Sequence, residues 1–241
     1  MFFGRSTMEV LNNIPIKLDL EAVLKRMRLR NRRENIVGNV REMLELARPV
    51  AKPKAIYEVA YIENKNGDSL EIGGVKFTSR VLRVNLDKVE RVFPFIVTCG
   101  RELDEINIPP DDFIKGYYFD QIKETAVVLA RQQVEKYLKK RYALGQLSRM
   151  APGAAMKIDW PITQQMELFS VFGGREKVEE LIGVRLTDTF LMVPIKSVSG
   201  ILFPTEVSFE SCQMCPRENC IGRRVEYDPE LEKKYQLETT K

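Results

Sequence analysis

Between Asp111 and Tyr142 the apolar residues Phe113, Tyr117, Ile122, Ala126, Leu129, Ala130, Val134, Tyr137 and Leu138 recur at helical intervals. That pattern predicts one long α-helix packed along a core, and the other elements must be arranged around it. Upstream, Leu18, Val23, Leu24 and Met27, then Ile36, Val40, Met43, Leu44 and Leu46, predict further helix over 18–48. Residues 55–63 read as a strand, and Asn66-Gly67-Asp68 as a hairpin-type turn. Leu70 and Ile72, then Val75 and Phe77 across Gly73-Gly74, predict short antiparallel strands. Leu86 to Phe93 reads as a short helix, and Phe95 to Thr98 as a buried strand ended by Cys99-Gly100. A helix near Glu176 to Leu181, capped by Gly183, and strands at about 184–193 and 197–203 follow. The order predicts an α+β fold: a largely antiparallel twisted sheet with packed helices. Three segments are expected: a helical one over 1–54, a core over 55–210, and a cysteine-containing tail over 211–241.

Composition narrows the chemistry. A chain of 241 residues can bury a real core, and no apolar run in it is long enough to span a membrane. The start, Met1 to Ser6, is too short and polar for a signal peptide, so the expected compartment is the cytoplasm. The formal charge of +4 does not by itself call for nucleic acid. The basic run Lys25 to Arg33 lacks the interleaved aromatics of a single-strand platform. A solvated helix face, or a docking surface for an acidic protein, is the favoured reading. The chain has no histidine, which excludes imidazole catalysis, histidine-ligated zinc and an imidazole ligand to cobalt from its own residues.

The segment most suited to holding a ligand is Arg149-Met150-Ala151-Pro152-Gly153. Pro152 fixes φ, Gly153 permits positive φ and Ala151 adds no bulk, so a ligand could lie against the main chain. Arg149 offers a planar fork of donors for a carboxylate or phosphate. Pro161 then stands where a helix can start, with Met166, Leu168, Phe169 and Phe172 as its apolar face and Gly173-Gly174 as its stop. Gly200 inside the last strand signals close approach by another backbone or a ligand, or a packing glycine. Asp120 and Glu124, four apart on the long helix, share a face on which like charges call for a cation. Lys123 and Arg131 are the local candidates.

Arg149-x-Ala151-Pro152-Gly153, the helix after it, Ile182 to Pro194 and Ser197-Val198-Ser199-Gly200 together resemble the activation domain of cobalamin-dependent methionine synthase. Phe95 to Gly100 and the helix around Asp120 and Glu124 fall in the same order at similar spacing. The resemblance covers about half the chain and implies S-adenosylmethionine binding. It assigns Arg149 to the carboxylate, Ala151 and Gly153 to main-chain contacts, and Glu124 to an acidic position at the ligand. The implied reaction is reductive methylation of an oxidised Co(II) corrinoid held by a partner, a corrinoid-binding protein or methyltransferase, with a separate electron donor. The chain itself would supply no acid, base or nucleophile, and would contribute by proximity. Ala154 stands where the family usually has tyrosine, and Asp159-Trp160-Pro161-Ile162 replaces its histidine-containing segment. The first removes the ring that the family places against the corrinoid face, and the second resembles free-standing relatives found beside corrinoid methyltransferases. Trp160 offers an aromatic surface to a partner or fills the core.

Cys212, Cys215 and Cys220 lie within nine residues and outside the fused domain's pattern. They suit zinc or an iron–sulfur cluster, with a fourth ligand from Cys99, an acidic residue, water or another chain, or they are free thiols. A second function class therefore stays open: a non-catalytic adaptor with a metal-tied tail and a basic helix for a protein or nucleic-acid partner.

Overall fold

The computed structural model of the chain describes residues 7–28, 33–154, 160–206, 209–220 and 223–235, without the side chains of 232–234. It opens with a strand that no sequence pattern announces, β1 (Thr7–Leu11), followed by α1 (Leu20–Met27) and α2 (Glu34–Ala47). Asp19 caps α1 by accepting from the Ala22 N–H at 2.9 Å, and Arg28 ends it in the left-handed region. The basic run thus divides the predicted 18–48 helix in two, and its residues 29–32 lie outside the described residues.

The long strand β2 (Lys54–Asn66) turns at Gly67-Asp68 into β3 (Ser69–Ile72). Gly73-Gly74, both at positive φ, turn β3 into β4 (Val75–Thr78). Next come α3 (Arg80–Asn85), capped by the Ser79 hydroxyl, and β5 (Arg91–Thr98). The helix expected over Leu86 to Phe93 is not there. Its last residues begin β5, which is hydrogen-bonded on both edges, and that pairing outweighs a locally helical spacing.

The long helix forms as α4 (Phe113–Arg141), with Asp112 accepting from the Lys115 N–H at 3.0 Å and Lys139, Lys140 and Arg141 in its last turn. Its buried face runs through Phe119, Ile122, Ala126, Ala130, Val134 and Leu138. Phe113 and Tyr117, read from sequence as core-facing, are instead 81% and 51% exposed in the first turns of α4. Then follow β6 (Leu147–Met150), α5 (Gln165–Val171), α6 (Arg175–Ile182) and a small hairpin, β7 (Arg185–Leu186) with β8 (Met192–Val193). Gly183 caps α6 in the left-handed region, as its place in the sequence predicts. Finally come β9 (Ser197–Pro204) and α7 (Pro229–Tyr235).

Strand pairing is antiparallel throughout, in the order β4-β3-β2-β5-β9-β6, with β1 beside the first half of β2. One face of the sheet carries α1, α2 and α4 over Tyr57, Phe93, Phe95, Val97 and Leu202. The other face divides between two clusters. Phe77, Met150, Trp160, Ile201 and Phe203 form one, joined by Phe209, Met214 and Tyr235 from the end of the chain. Ile56, Ile96, Phe169, Phe172 and Val178 form the other, under α5 and α6. Each fully buried side chain of this size contributes about 1.5–3 kcal/mol, so three such clusters supply most of the folding drive. Trp160 stacks edge-on to Phe77 of β4, with ring centres 6.0 Å apart, while sharing its cluster with Met150 of β6. Residues of both edge strands, Phe77 of β4 and Met150 of β6, thus share one cluster on this side of the curled sheet. No described helix is long and apolar enough to cross a membrane.

Candidate functional site

Side-chain alternation along β6 places Arg149. Met150 belongs to the Trp160 cluster, whereas Leu147 packs on the α4 side. Arg149 is in register with Leu202, which also lies on the α4 side, so its half-buried side chain projects toward that layer. The loop after it is shaped by three contacts. Gly153 sits at φ 68° and donates its N–H to the Trp160 carbonyl at 2.8 Å. Ala154 donates to the Ala151 carbonyl at 3.3 Å, closing a turn around buried Pro152. Gln164 clamps the far end on β4, accepting from the Thr78 N–H at 2.9 Å and donating to the Thr78 carbonyl at 2.6 Å. Residues 155–159, including Asp159, lie outside the described residues.

Gly200 supports the loop from below. A Cβ there would stand 2.2 Å from the Met150 carbonyl oxygen and 3.3 Å from the Ala151 Cβ. The close approach is therefore by another backbone. Beside it the buried Gln165 donates to the Ser199 hydroxyl at 2.7 Å, fixing the start of α5 to β9. Gly153's N–H is already engaged, and a Cβ there would stand 2.9 Å from the Ile162 Cδ1, so this residue offers a ligand its carbonyl, not a free donor.

Glu124 stands elsewhere in the same layer. Arg26 of α1 donates to it, and Lys196, just before β9, approaches it at 3.4 Å and Asp120 at 3.0 Å. Burial works to lower the Lys196 pKa, but the two carboxylates outweigh that and hold it above the usual ammonium value. The sequence candidates for this role are otherwise engaged: Lys123 pairs with Asp104 at 2.9 Å, and Arg131 with Glu135. Lys196 and Arg26 are thus partners of Glu124 that sequence reasoning missed. Lys196 had no spacing signal, because its partners are more than 70 positions away in the chain. Leu202 lies six positions beyond Lys196 along β9, roughly 20 Å of strand. Glu124 therefore neutralises Arg26 and Lys196 rather than Arg149.

The tail cysteines do not gather. Among the described residues no three Cys, Asp or Glu side chains are grouped as a metal set. A cation of the chain's own ties the loop instead. The Arg223 guanidinium donates to the carbonyls of Cys212 at 3.3 Å, Cys215 at 3.1 Å and Val225 at 3.4 Å, and also to that of Arg217. Cys99, one of the alternatives for a fourth ligand, is buried in the α4-side core, and burial pushes its thiol up to about 12. Trp160 is fully buried and presents no surface to a partner.

The structure is similar to a crystal structure of the MetH reactivation domain bound to AdoHcy, with a TM-score of 0.57 and 17% identity over 86% of this chain and 81% of that one. No protein-family model and no curated protein matches the sequence. At that identity the likeness is one of fold: a curled antiparallel sheet with this arrangement of helices.

Proposed function

We propose that this fold binds S-adenosylmethionine at the Arg149–Gly153 loop and presents it for methylation of a corrinoid carried by a partner protein. The observation that carries the reading is the built shape of that loop. It turns at Gly153 in the left-handed region, is seated on Gly200, and is flanked by an arginine on a fold whose solved counterpart is bound to AdoHcy. S-Adenosylmethionine presents one carboxylate, one ammonium, a sulfonium and an adenine. The Arg149 guanidinium is suited to the carboxylate, and the Ala151 and Gly153 carbonyls to the polar edges. Glu124, paired with Arg26 and Lys196, is assigned to the far end of the ligand, away from Arg149, through water. The chain's own contribution is orientation, since the site offers no imidazole and its buried thiol is inert. The corrinoid and the electron come from outside the chain, and the corrinoid supplies the metal that accepts the methyl group.

Titration calorimetry with S-adenosylmethionine tests this directly. Binding to the wild-type protein is expected, with Arg149→Ala weaker by about 1.5–3 kcal/mol, the range of a charged hydrogen bond. Equal affinity in the variant removes Arg149 from the site. No binding by the wild-type protein sinks the reading.

A further inference from the structure

The cysteine-bearing turn is built with care although it holds no metal set among the described residues. Ser211–Met214 form a single 3-10 turn, and Cys215 follows as its C-terminal cap. Cys215 donates its N–H to the Cys212 carbonyl at 3.2 Å. Such a hydrogen-bonded turn keeps its first and fourth Cα atoms within about 7 Å. A disulfide asks for a Cα separation of roughly 4.4–6.8 Å, a range that falls within what this turn allows Cys212 and Cys215. Both are half-buried and reachable from solvent, unlike Cys99.

The surroundings keep the turn in place. Glu210 and Gln213 cap its start reciprocally, and Met214 anchors it in the Trp160 cluster. The Arg223 fork holds the carbonyls of both cysteines from one side, so the backbone is fixed while the two thiols remain free. Cys220 is part of a different turn, in which its own carbonyl accepts from the Arg223 N–H at 3.1 Å.

We propose that Cys212 and Cys215 are a dithiol–disulfide pair that exchanges with small disulfides and thiols. One cysteine thiolate attacks a disulfide RSSR, forming a mixed disulfide and releasing one RSH. The second cysteine displaces the other RSH and closes the Cys212–Cys215 bond. Two protein thiols are oxidised by two electrons, one RSSR is reduced to two RSH, and both protons leave on the released thiols. This site stands apart from the S-adenosylmethionine reading and does not depend on it.

The test uses the full chain, first reduced and then equilibrated in buffers of graded oxidised-to-reduced glutathione ratio. Acid quenching, alkylation and peptide mass spectrometry give the state of each thiol. The expected result is one Cys212–Cys215 disulfide forming in a single transition, with Cys220 alkylated throughout and Cys99 alkylated only after unfolding. In Cys212→Ser and Cys215→Ser the remaining partner should instead retain glutathione. Arg223→Lys, which loses the fork, should move the midpoint ratio about fivefold toward oxidised buffer, the effect of about one net hydrogen bond. Stable glutathione adducts on both cysteines of the wild-type protein would overturn the proposal. So would pairing of either with Cys220, or zinc or iron holding the thiols unreactive in the purified protein.

Discussion

Glu58 is a carboxylic acid placed where an acid is costly. It lies on β2 with 6% of its surface exposed, in register with Met8 on one side, and on the other with Pro94, which has no N–H to donate. No cation faces it among the described residues, and burial pushes its carboxyl up from 4.5 to about 7. A folded-state value above the unfolded one means that the folded protein binds the proton more tightly. Stability from this group is thus fully present below pH 4.5 and is lost as pH rises from there through about 7. The loss amounts to about 2–3 kcal/mol. Denaturant unfolding at pH 5 and pH 8 should show that fall in the wild-type protein and a much flatter profile in Glu58→Gln. Equal slopes in the two proteins would mean that Glu58 ionises freely where it stands. Glu58 was invisible in the sequence, where it reads as a polar residue in a strand, because its burial depends on which strands flank β2. The turn after Arg149 was legible, because a Pro-Gly pair favours one, and Gly153 does take positive φ there.

Among the elements, two glycines separate what local sequence can specify from what packing specifies. Gly38 lies inside α2, and a Cβ added there would have nothing within 4 Å, so its bare backbone only weakens the helix. Gly38→Ala should stabilise the protein by about 0.5–1 kcal/mol. Gly200→Ala should cost about 2–3 kcal/mol, since the new methyl group meets the Met150 carbonyl and forces β6 off β9. Thermal melts of the two variants check both signs. A tolerated Gly200→Ala would show that the edge pairing under the Arg149 loop is soft. The sequence flagged Gly200 as a close approach but left open what approaches. The answer required knowing that β6 is its neighbour, a pairing between residues some fifty positions apart. The same limit explains the other differences. α4, α6 and the core of β5 carry strong periodic or apolar signals and were legible. β1 is a five-residue edge strand defined only by its partner. The expected strand over 184–193 shrank to the ends of a hairpin, because Thr187 accepts from the Leu191 N–H and turns the chain between them.

For the molecule as a body, the question is whether the tail beyond β9 is an appendage or part of the fold. Its aromatic and apolar residues argue for the second. Phe209 packs edge-on to Tyr235 at 6.0 Å between ring centres, and both join Met214, Phe77, Trp160 and Ile201 in one cluster. Polar contacts tie the same segment to two distant elements. The Phe209 N–H donates to the Ser148 hydroxyl on β6 at 3.0 Å, and the Tyr235 hydroxyl to Asn85 of α3 at 2.9 Å. Removing three buried side chains of this size withdraws about 5 kcal/mol or more of burial, a large part of the roughly 5–15 kcal/mol that holds a domain together. A chain ending at Thr205 is therefore expected to unfold at markedly lower denaturant, with its transition broadened. Trp160 is the chain's one tryptophan and is fully buried, so its emission reports on this cluster alone. It should shift to the red in the shortened protein, as water reaches the indole from the side that Phe209 and Met214 had covered. An unshifted emission and an unchanged midpoint would make the tail an independent appendage, and the Cys212–Cys215 turn would then lack the anchoring that Met214 provides.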